Sequence, residues 1–300
     1  LAKNTGLPPQ GKKKGDAWMA PDFAKLRKVA GLKKTDKNTW QLPAMPVPAT
    51  ELAESVSMPK LGFHERISGS SVSPNGEWMG LSTNDAFEGG RVVLVNLKAG
   101  ELVASHEFPK PEGQEQKPVI RAVSPDGQWV LTGFEHNGFD RVGAMRVTLW
   151  KVEGEALQPA IIWSPFDTGS KEWHEQDKSR VTWAGFVDSK SLLLQASGFV
   201  VKWDLTTGKP TYQVGLESNS IQFLGDGSKI LVASHQALGV VDVTVGKILF
   251  YKNINASGSI DVSPDGKRIL VHTGDNIDIV DATTGVTTKS IKVEQFGKSF

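Results

Sequence analysis

Ser263-Pro264-Asp265-Gly266-Lys267-Arg268-Ile269-Leu270-Val271 joins turn chemistry directly to an apolar run. Proline presets one turn dihedral, aspartate bonds to nearby backbone, and glycine accepts the positive φ that tight turns demand. Ser73-Pro74-Asn75-Gly76 and Ser124-Pro125-Asp126-Gly127 repeat the signal. Gly225-Asp226-Gly227 keeps its core, and Val187-Asp188-Ser189-Lys190 is a degenerate copy. A short apolar stretch precedes each copy and another follows, as in Gly127-Gln128-Trp129-Val130-Leu131-Thr132. The Asp-Gly and Asn-Gly pairs predict two-residue hairpin turns with positive φ.

A second marker follows each turn at a regular distance. It reads Val92-Val93-Leu94-Val95-Asn96, Val147-Thr148-Leu149-Trp150-Lys151, Val200-Val201-Lys202-Trp203-Asp204, Val240-Val241-Asp242 and Ile277-Asp278-Ile279-Val280-Asp281. Three of these lead into Thr206-Thr207-Gly208, Thr244-Val245-Gly246 and Thr283-Thr284-Gly285, after which a last strand leaves. The unit is therefore strand a, Asp-Gly turn, strand b, loop, strand c, Thr-Gly turn, strand d. Positions 76, 127, 189, 227 and 266 lie 51, 62, 38 and 39 residues apart. The shorter spacings suit a four-stranded blade of about 40–45 residues, and the longer ones imply insertions.

These stretches carry a resemblance. Ser-Pro-Asp-Gly before an apolar strand, with Val201-Lys202-Trp203-Asp204 and Thr206-Thr207-Gly208-Lys209, resembles bacterial WD40-repeat proteins. Residues 263–285 are similar to YVTN and quinoprotein-like propellers. The likeness spans about residues 63–300 and implies an all-β propeller of four-stranded antiparallel blades. Blades are expected at about 63–110, 111–167, 168–214, 215–254 and 255–296, with a further one starting at 297–300. The chain begins with Leu1 and stops at Phe300. The expectation is a fragment of a six- to eight-bladed ring, since propellers close with about 4–8 blades. The Gly-His dipeptide of the family is missing and Trp-Asp occurs only at Trp203-Asp204. The family's buried His–Ser–Trp network is therefore not expected.

The N-terminal part is a different material. Residues 1–50 hold nine lysines and Arg27 against Asp16, Asp22 and Asp36, a net charge of +7, while the remaining 250 residues carry −6. Seven prolines punctuate residues 1–62. Such a segment buries too little apolar surface to offset its ordering entropy. A basic, mostly disordered linker is expected, with one marginal helix over 22–30. Contact between this arm and nucleic acid or an anionic surface is the lesser alternative.

Composition excludes several functions. Cysteine is absent, so no disulfide, thiolate metal site or cysteine nucleophile exists. No run of about 18 apolar residues occurs. The sequence has no Gly-x-Ser-x-Gly elbow, and Gly297-Lys298-Ser299 lacks the upstream glycine of a phosphate loop, because position 292 is lysine. The six histidines are scattered over different repeats. Neither a metal nor a cofactor is expected. A cytoplasmic location is preferred, although no residue fixes it.

Function is expected where the insertions fall. The a–b and c–d turns are short throughout, whereas 84–90 and 135–143 lengthen two b–c loops and 164–180 lengthens one d–a loop. Strand alternation sends b–c and d–a loops to one face, and one-sided insertions in repeat folds often mark the binding face. The candidate partner-binding residues are Asp85, Glu88, Arg91, His136, Asp140, Arg141, Trp173, His174 and Arg180. Trp173 is the best anchor, since tryptophan and arginine dominate interface hot spots. Trp78, Trp129, Trp150, Trp183 and Trp203 lie in repeat strands and are expected to pack between blades. The leading reading is a non-enzymatic scaffold for a protein or peptide. Its rivals are a propeller lactonase or quinoprotein-type oxidoreductase with a central-channel site, and the propeller module of a larger enzyme or signalling protein.

Overall fold

The structure is a computed structural model. It describes residues 65–84, 89–108, 118–134, 146–166, 180–196, 198–216, 218, 220–256 and 260–292, together with four short strands nearer the N-terminus. Those four are β1 (Lys12–Lys14) with β2 (Ala17–Met19), and β3 (Lys33–Lys34) with β4 (Trp40–Gln41), each an antiparallel pair. The helix expected over 22–30 and the remainder of the basic segment lie outside the described residues.

The five repeats each fold into four antiparallel strands. The first comprises β5 (Arg66–Val72), β6 (Trp78–Asn84), β7 (Gly90–Asn96) and β8 (Glu101–Phe108). The second comprises β9 (Pro118–Val123), β10 (Trp129–Phe134), β11 (Val147–Glu153) and β12 (Ala156–Trp163). β13 (Trp183–Asp188), β14 (Ser191–Ala196), β15 (Phe199–Asp204) and β16 (Lys209–Gly215) form the third. β17 (Ser220–Leu224), β18 (Lys229–Ala233), β19 (Ala237–Asp242) and β20 (Lys247–Asn253) form the fourth. β21 (Ile260–Val262), β22 (Arg268–Thr273), β23 (Asn276–Asp281) and β24 (Thr287–Lys292) form the fifth. No helix occurs among the described residues.

The sheet count corrects the expectation of five separate blades. Repeats one and two share one eight-stranded sheet, in the order β5-β6-β7-β8-β12-β11-β10-β9, beside three four-stranded sheets. The join is a parallel pairing of outer strands at Ser105 and Ala156, where Ser105 N–H donates to Glu155 C=O at 3.0 Å. A single edge contact between strands about fifty residues apart leaves no trace in a sequence pattern.

The a–b turn also differs in type from the expectation. Gly76, Gly127, Gly227 and Gly266 have φ of 73°, 66°, 81° and 65°, and among the described residues none other than glycine has positive φ. The aspartate is therefore not part of a primed two-residue turn. Instead, Gly266 N–H donates to Ser263 C=O at 2.8 Å, closing a four-residue turn with proline at its second place. Ser263 Oγ donates to Asp265 Oδ1 at 2.6 Å and accepts Arg268 N–H at 3.0 Å. Ser124 with Asp126 and Trp129, and Ser73 with Asn75 and Trp78, repeat this knot. The Asp265 carboxyl is held below its ordinary range, first by Ser263 and then by the Lys267 N–H.

Four of the five c–d turns share a second wiring. Asp281 Oδ1 accepts the N–H groups of Thr283 and Thr284, and Gly285 N–H donates to Asp281 C=O. Asp204, Asp242 and Asn96 do the same. Strand d bulges against strand c in all five repeats. Bulges twist an edge strand away from further pairing, which protects the outer rim.

Packing between repeats follows from alternation. The residue four places after each turn position is Gly80, Leu131, Leu193, Leu231 or Leu270. Gly80 faces Ile120 and Val123 of the second repeat, and a Cβ there would overlap Ile120. Leu131 packs with Ala184, Phe186 and Leu192 of the third. Leu193 packs with Ile230 and Val232 of the fourth, and Leu231 with Ile269 and Val280 of the fifth. Trp78, Trp129, Trp150, Trp183 and Trp203 all contribute to these interfaces.

Glycines at two c–d turns serve the same packing. The ring of Tyr212 lies over Gly246, and that of Phe250 over Gly285, each reaching from the preceding repeat. At Gly285 a Cβ would sit 2.7 Å from Phe250 Cδ2, and its φ of 73° already disfavours other residues. Gly285→Ala is expected to cost about 2 kcal/mol or more of unfolding free energy in urea denaturation. Gly208→Ala, where nothing lies within 4 Å, bears only the backbone strain and is the smaller loss.

Candidate functional site

Antiparallel alternation gives every four-stranded unit two ends. The a–b and c–d turns occupy one end, and every one is short; most are wired through an Asp or Asn side chain as described above. The b–c junctions and the links between repeats occupy the other. There the gaps are unequal: β10 ends at Phe134 and β11 starts at Val147, and β12 ends at Trp163 while β13 starts at Trp183. By contrast, β18 ends at Ala233 and β19 starts at Ala237.

Of the candidate partner-binding residues, Asp85, Glu88, His136, Asp140, Arg141, Trp173 and His174 lie outside the described residues. Arg180 is half-buried and directly precedes the buried Val181 at the entry to β13. Arg91 stands in β7 and forms a two-pronged ion pair with Glu65, Nε to Oε1 at 2.6 Å and Nη2 to Oε2 at 2.7 Å. The Arg91 and Glu65 side chains keep only 18% and 10% of their surface exposed. Thr83 Oγ1 donates to the same carboxylate oxygen and accepts the Arg91 N–H at 3.2 Å. Arg91 thus ties the segment entering β5 to the end of the first b–c loop. The residues that follow it in β7, Val92 to Val95, are buried on both faces of the strand, so alternation alone did not mark Arg91 for an inward role.

A second polar feature was not anticipated. His106 of β8 lies 4.5 Å from the Trp150 ring and 4.9 Å from that of Phe108, measured between centroids. Burial pushes its pKa below the ordinary 6.5, against the raising effects of the Leu157 backbone and Glu107. Trp150 Nε1 donates to Thr132 Oγ1 at 2.8 Å, so this indole has a hydroxyl partner.

The repeated carboxylates are committed to structure. Asp126, Asp226 and Asp265 serve a–b turns, and Asp204, Asp242 and Asp281 serve c–d turns. Burial would raise the Asp126 pKa, yet hydrogen bonds from Ser124, Ser189 and Gln128 hold it low. A carboxylate tied in this way is a poor general base, because it holds its proton too weakly at neutral pH. Among the described residues, no group of three or more His, Asp or Glu is placed to hold a metal ion. No helix among them is long and apolar enough to cross a membrane.

No protein-family model and no curated protein matches the chain. Solved structures do. Kuenenia stuttgartiensis hydrazine synthase is similar with a TM-score of 0.50 and 13% identity over 79% of this chain and 68% of that one. BamB from Moraxella catarrhalis is similar with a TM-score of 0.45 and 12% identity over 75% of this chain. The chain spans 64% of the length of that BamB chain. Both are β-propeller proteins. The likeness to hydrazine synthase supports a propeller fold. At such identity it speaks for the fold alone, and the all-β sheets with their face-to-face packing agree with it.

Two measurements test the site geometry. Glu65→Ala leaves the half-buried guanidinium of Arg91 without its fork partner and is expected to cost about 2 kcal/mol in urea denaturation. Glu65→Asp, with a shorter reach, recovers only part of this. For His106, the folded state binds its proton less readily than the unfolded chain, so its contribution is intact above pH 6.5 and is lost as pH falls below that value. The melting temperature is expected to drop between about pH 7 and 5, and His106→Phe to flatten that part of the profile.

Proposed function

We propose that the protein is a non-enzymatic propeller scaffold that captures a protein or peptide on the side bearing its b–c loops and inter-repeat links. The repeats serve as blades, and the WD40- and YVTN-like character of their turns fits this reading. The carrying observation is the contrast between the two ends of the sheets. One end is made of short turns whose polar groups are consumed internally. The other holds the long connections between Phe134 and Val147 and between Trp163 and Trp183. A rigid scaffold with all its variable length on one side is built to present loops.

The anchors would be Trp173 and Arg141, flanked by Asp85, Glu88, His136, Asp140, His174 and Arg180. Tryptophan supplies a large contact area at small entropic cost, and arginine pairs with carboxylates in a fixed fork. The charged loop residues would supply the polar rim. Arg91 is assigned a different part: through Glu65 it steadies the base of the first loop.

Trp173→Ala combined with Arg141→Ala is expected to abolish partner capture in a pull-down from native lysate, with the melting temperature moving little. Truncating a hot-spot residue costs about 2 kcal/mol or more in binding, whereas loop substitutions shift stability by less than about 0.5 kcal/mol. Lys98→Ala on the opposite end is the control. Capture that survives the double substitution, or that fails equally in the control, refutes the reading.

A further inference from the structure

The a–b turns of the first three repeats bond to one another in series. At the place of the turn aspartate, the second to fifth repeats carry Asp126, Asp188, Asp226 and Asp265, whereas the first carries Asn75. Within its own turn Asn75 does what an aspartate does: Oδ1 accepts the Ser73 hydroxyl at 2.6 Å and Glu77 N–H at 3.3 Å. Asp126 accepts the Ser124 hydroxyl and Gln128 N–H in the same way. Only the amide nitrogen sets the two apart. Asn75 Nδ2 donates to Pro125 C=O in the turn of the second repeat at 2.8 Å, and to Glu77 Oε2 at 3.1 Å. Asp126, by contrast, accepts a bond from Ser189 in the turn of the third repeat. A carbonyl requires a donor and a hydroxyl serves a carboxylate, so each turn carries the side chain that its neighbour can bond.

The next position answers a separate demand. Gly76 has φ of 73°, which other residues rarely adopt, although nothing lies within 4 Å of where its Cβ would stand. The backbone therefore asks for glycine at 76, and the second repeat asks for an amide at 75. Together they set a side-chain amide beside a backbone nitrogen that no side chain shields. Such a pair can react with itself. The Gly76 nitrogen attacks Asn75 Cγ, a new N–C bond forms, and the Cγ–Nδ2 bond breaks. Ammonia leaves with the proton of Gly76, and water then opens the cyclic imide. Opening at Cγ gives aspartate, whereas opening at the main-chain carbonyl gives isoaspartate, with an added carbon in the backbone.

In the closed turn both reacting groups are held. Gly76 N–H donates to Ser73 C=O at 2.9 Å, Oδ1 carries two donors, and Nδ2 is engaged by Pro125 and Glu77. The nitrogen reaches Cγ only once these bonds let go. We propose that Asn75-Gly76 is a self-modification site gated by the contact between the first two repeats, reacting when that turn opens and unable to restore the contact afterwards. The product carries a carboxylate oxygen where Nδ2 stood. It faces the Pro125 carbonyl and the Glu77 carboxylate, so a bond between repeats becomes a repulsion. Isoaspartate also lengthens the turn that Gly76 N–H closes. A reversible opening is thereby made permanent. The inference is independent of the loop-side reading, since it uses only the opposite end of the sheets.

The chain's other Asn-Gly pair, Asn137-Gly138, serves as an internal reference. The 300-residue chain is held at alkaline pH, folded and in unfolding urea, and peptides spanning both pairs are followed by mass spectrometry. In urea the two pairs are expected to convert at comparable rates. In the folded protein Asn75 is expected to convert about tenfold or more slowly than in urea, because opening of the turn limits the rate. Ser73→Ala and the milder Glu77→Ala each remove a bond to the Asn75 side chain. Each is expected to speed conversion of Asn75 in the folded protein several-fold with Asn137 unaffected, and an unchanged tryptophan fluorescence spectrum checks the fold. Asn75→Asp stands in for the product and is expected to lower the melting temperature by about 2 °C or more. Asn96→Asp, at a c–d turn where the side chain serves through Oδ1, leaves it unchanged. The proposal is overturned by Asn75 reacting as fast folded as in urea, or by its staying intact in urea while Asn137 converts. Rates indifferent to both loosening substitutions, or Asn75→Asp melting together with the wild type, overturn it equally.

Discussion

Leu131, Leu193 and Leu231 mark the contact on which the structure depends. Each projects from the second strand of its sheet onto the apolar face of the next sheet. A four-stranded sheet has two faces, and no helix among the described residues covers either. It can become dry only by lying against a like sheet on each side. Fully burying a leucine is worth about 1.5–3 kcal/mol, and each interface gathers several such side chains. The repeat is therefore the unit of the chain, but the interface is the unit of stability, as in other quasi-one-dimensional arrays.

That demand explains the turns. Sheets can stack face to face only if their turns leave room, and the space above a turn is where the preceding aromatic ring arrives. Gly127 lies under Trp78, Gly246 under Tyr212 and Gly285 under Phe250. Each glycine meets two requirements, a positive φ and the absence of a Cβ. The serine and aspartate beside it satisfy the remaining backbone donors, so a turn pressed against a neighbour has no polar group in need of water. The recurring carboxylates that could suggest catalysis in a bare sequence are thus part of the architecture.

Much of this was legible in the sequence. Turn glycines at regular spacing located the strands, because glycine and proline punctuate a chain wherever the backbone must leave the allowed region of other residues. The inter-repeat role of the strand tryptophans followed from alternation. Three features were not legible. The pairing of β8 with β12 depends on one long-range contact. The bulge in every outer strand falls on Val103, Ala160, Thr211, Leu249 and Thr288, which share no side-chain chemistry. Arg91 looked like a loop-side contact because its nearest sequence neighbours are loop residues, yet its partner Glu65 is 26 residues earlier. Long-range polar pairing is set by tertiary structure, and local composition does not encode it.

The division of labour between the two ends follows from the same packing. Turns that bear on the next sheet cannot change length without parting an interface, which fixes the a–b and c–d ends at their minimum. Connections at the other end join strands whose positions are already determined. Lengthening one costs only loop-closure entropy, about 0.6 kcal/mol for each doubling. Insertions of a dozen residues or more therefore accumulate there at small thermodynamic cost.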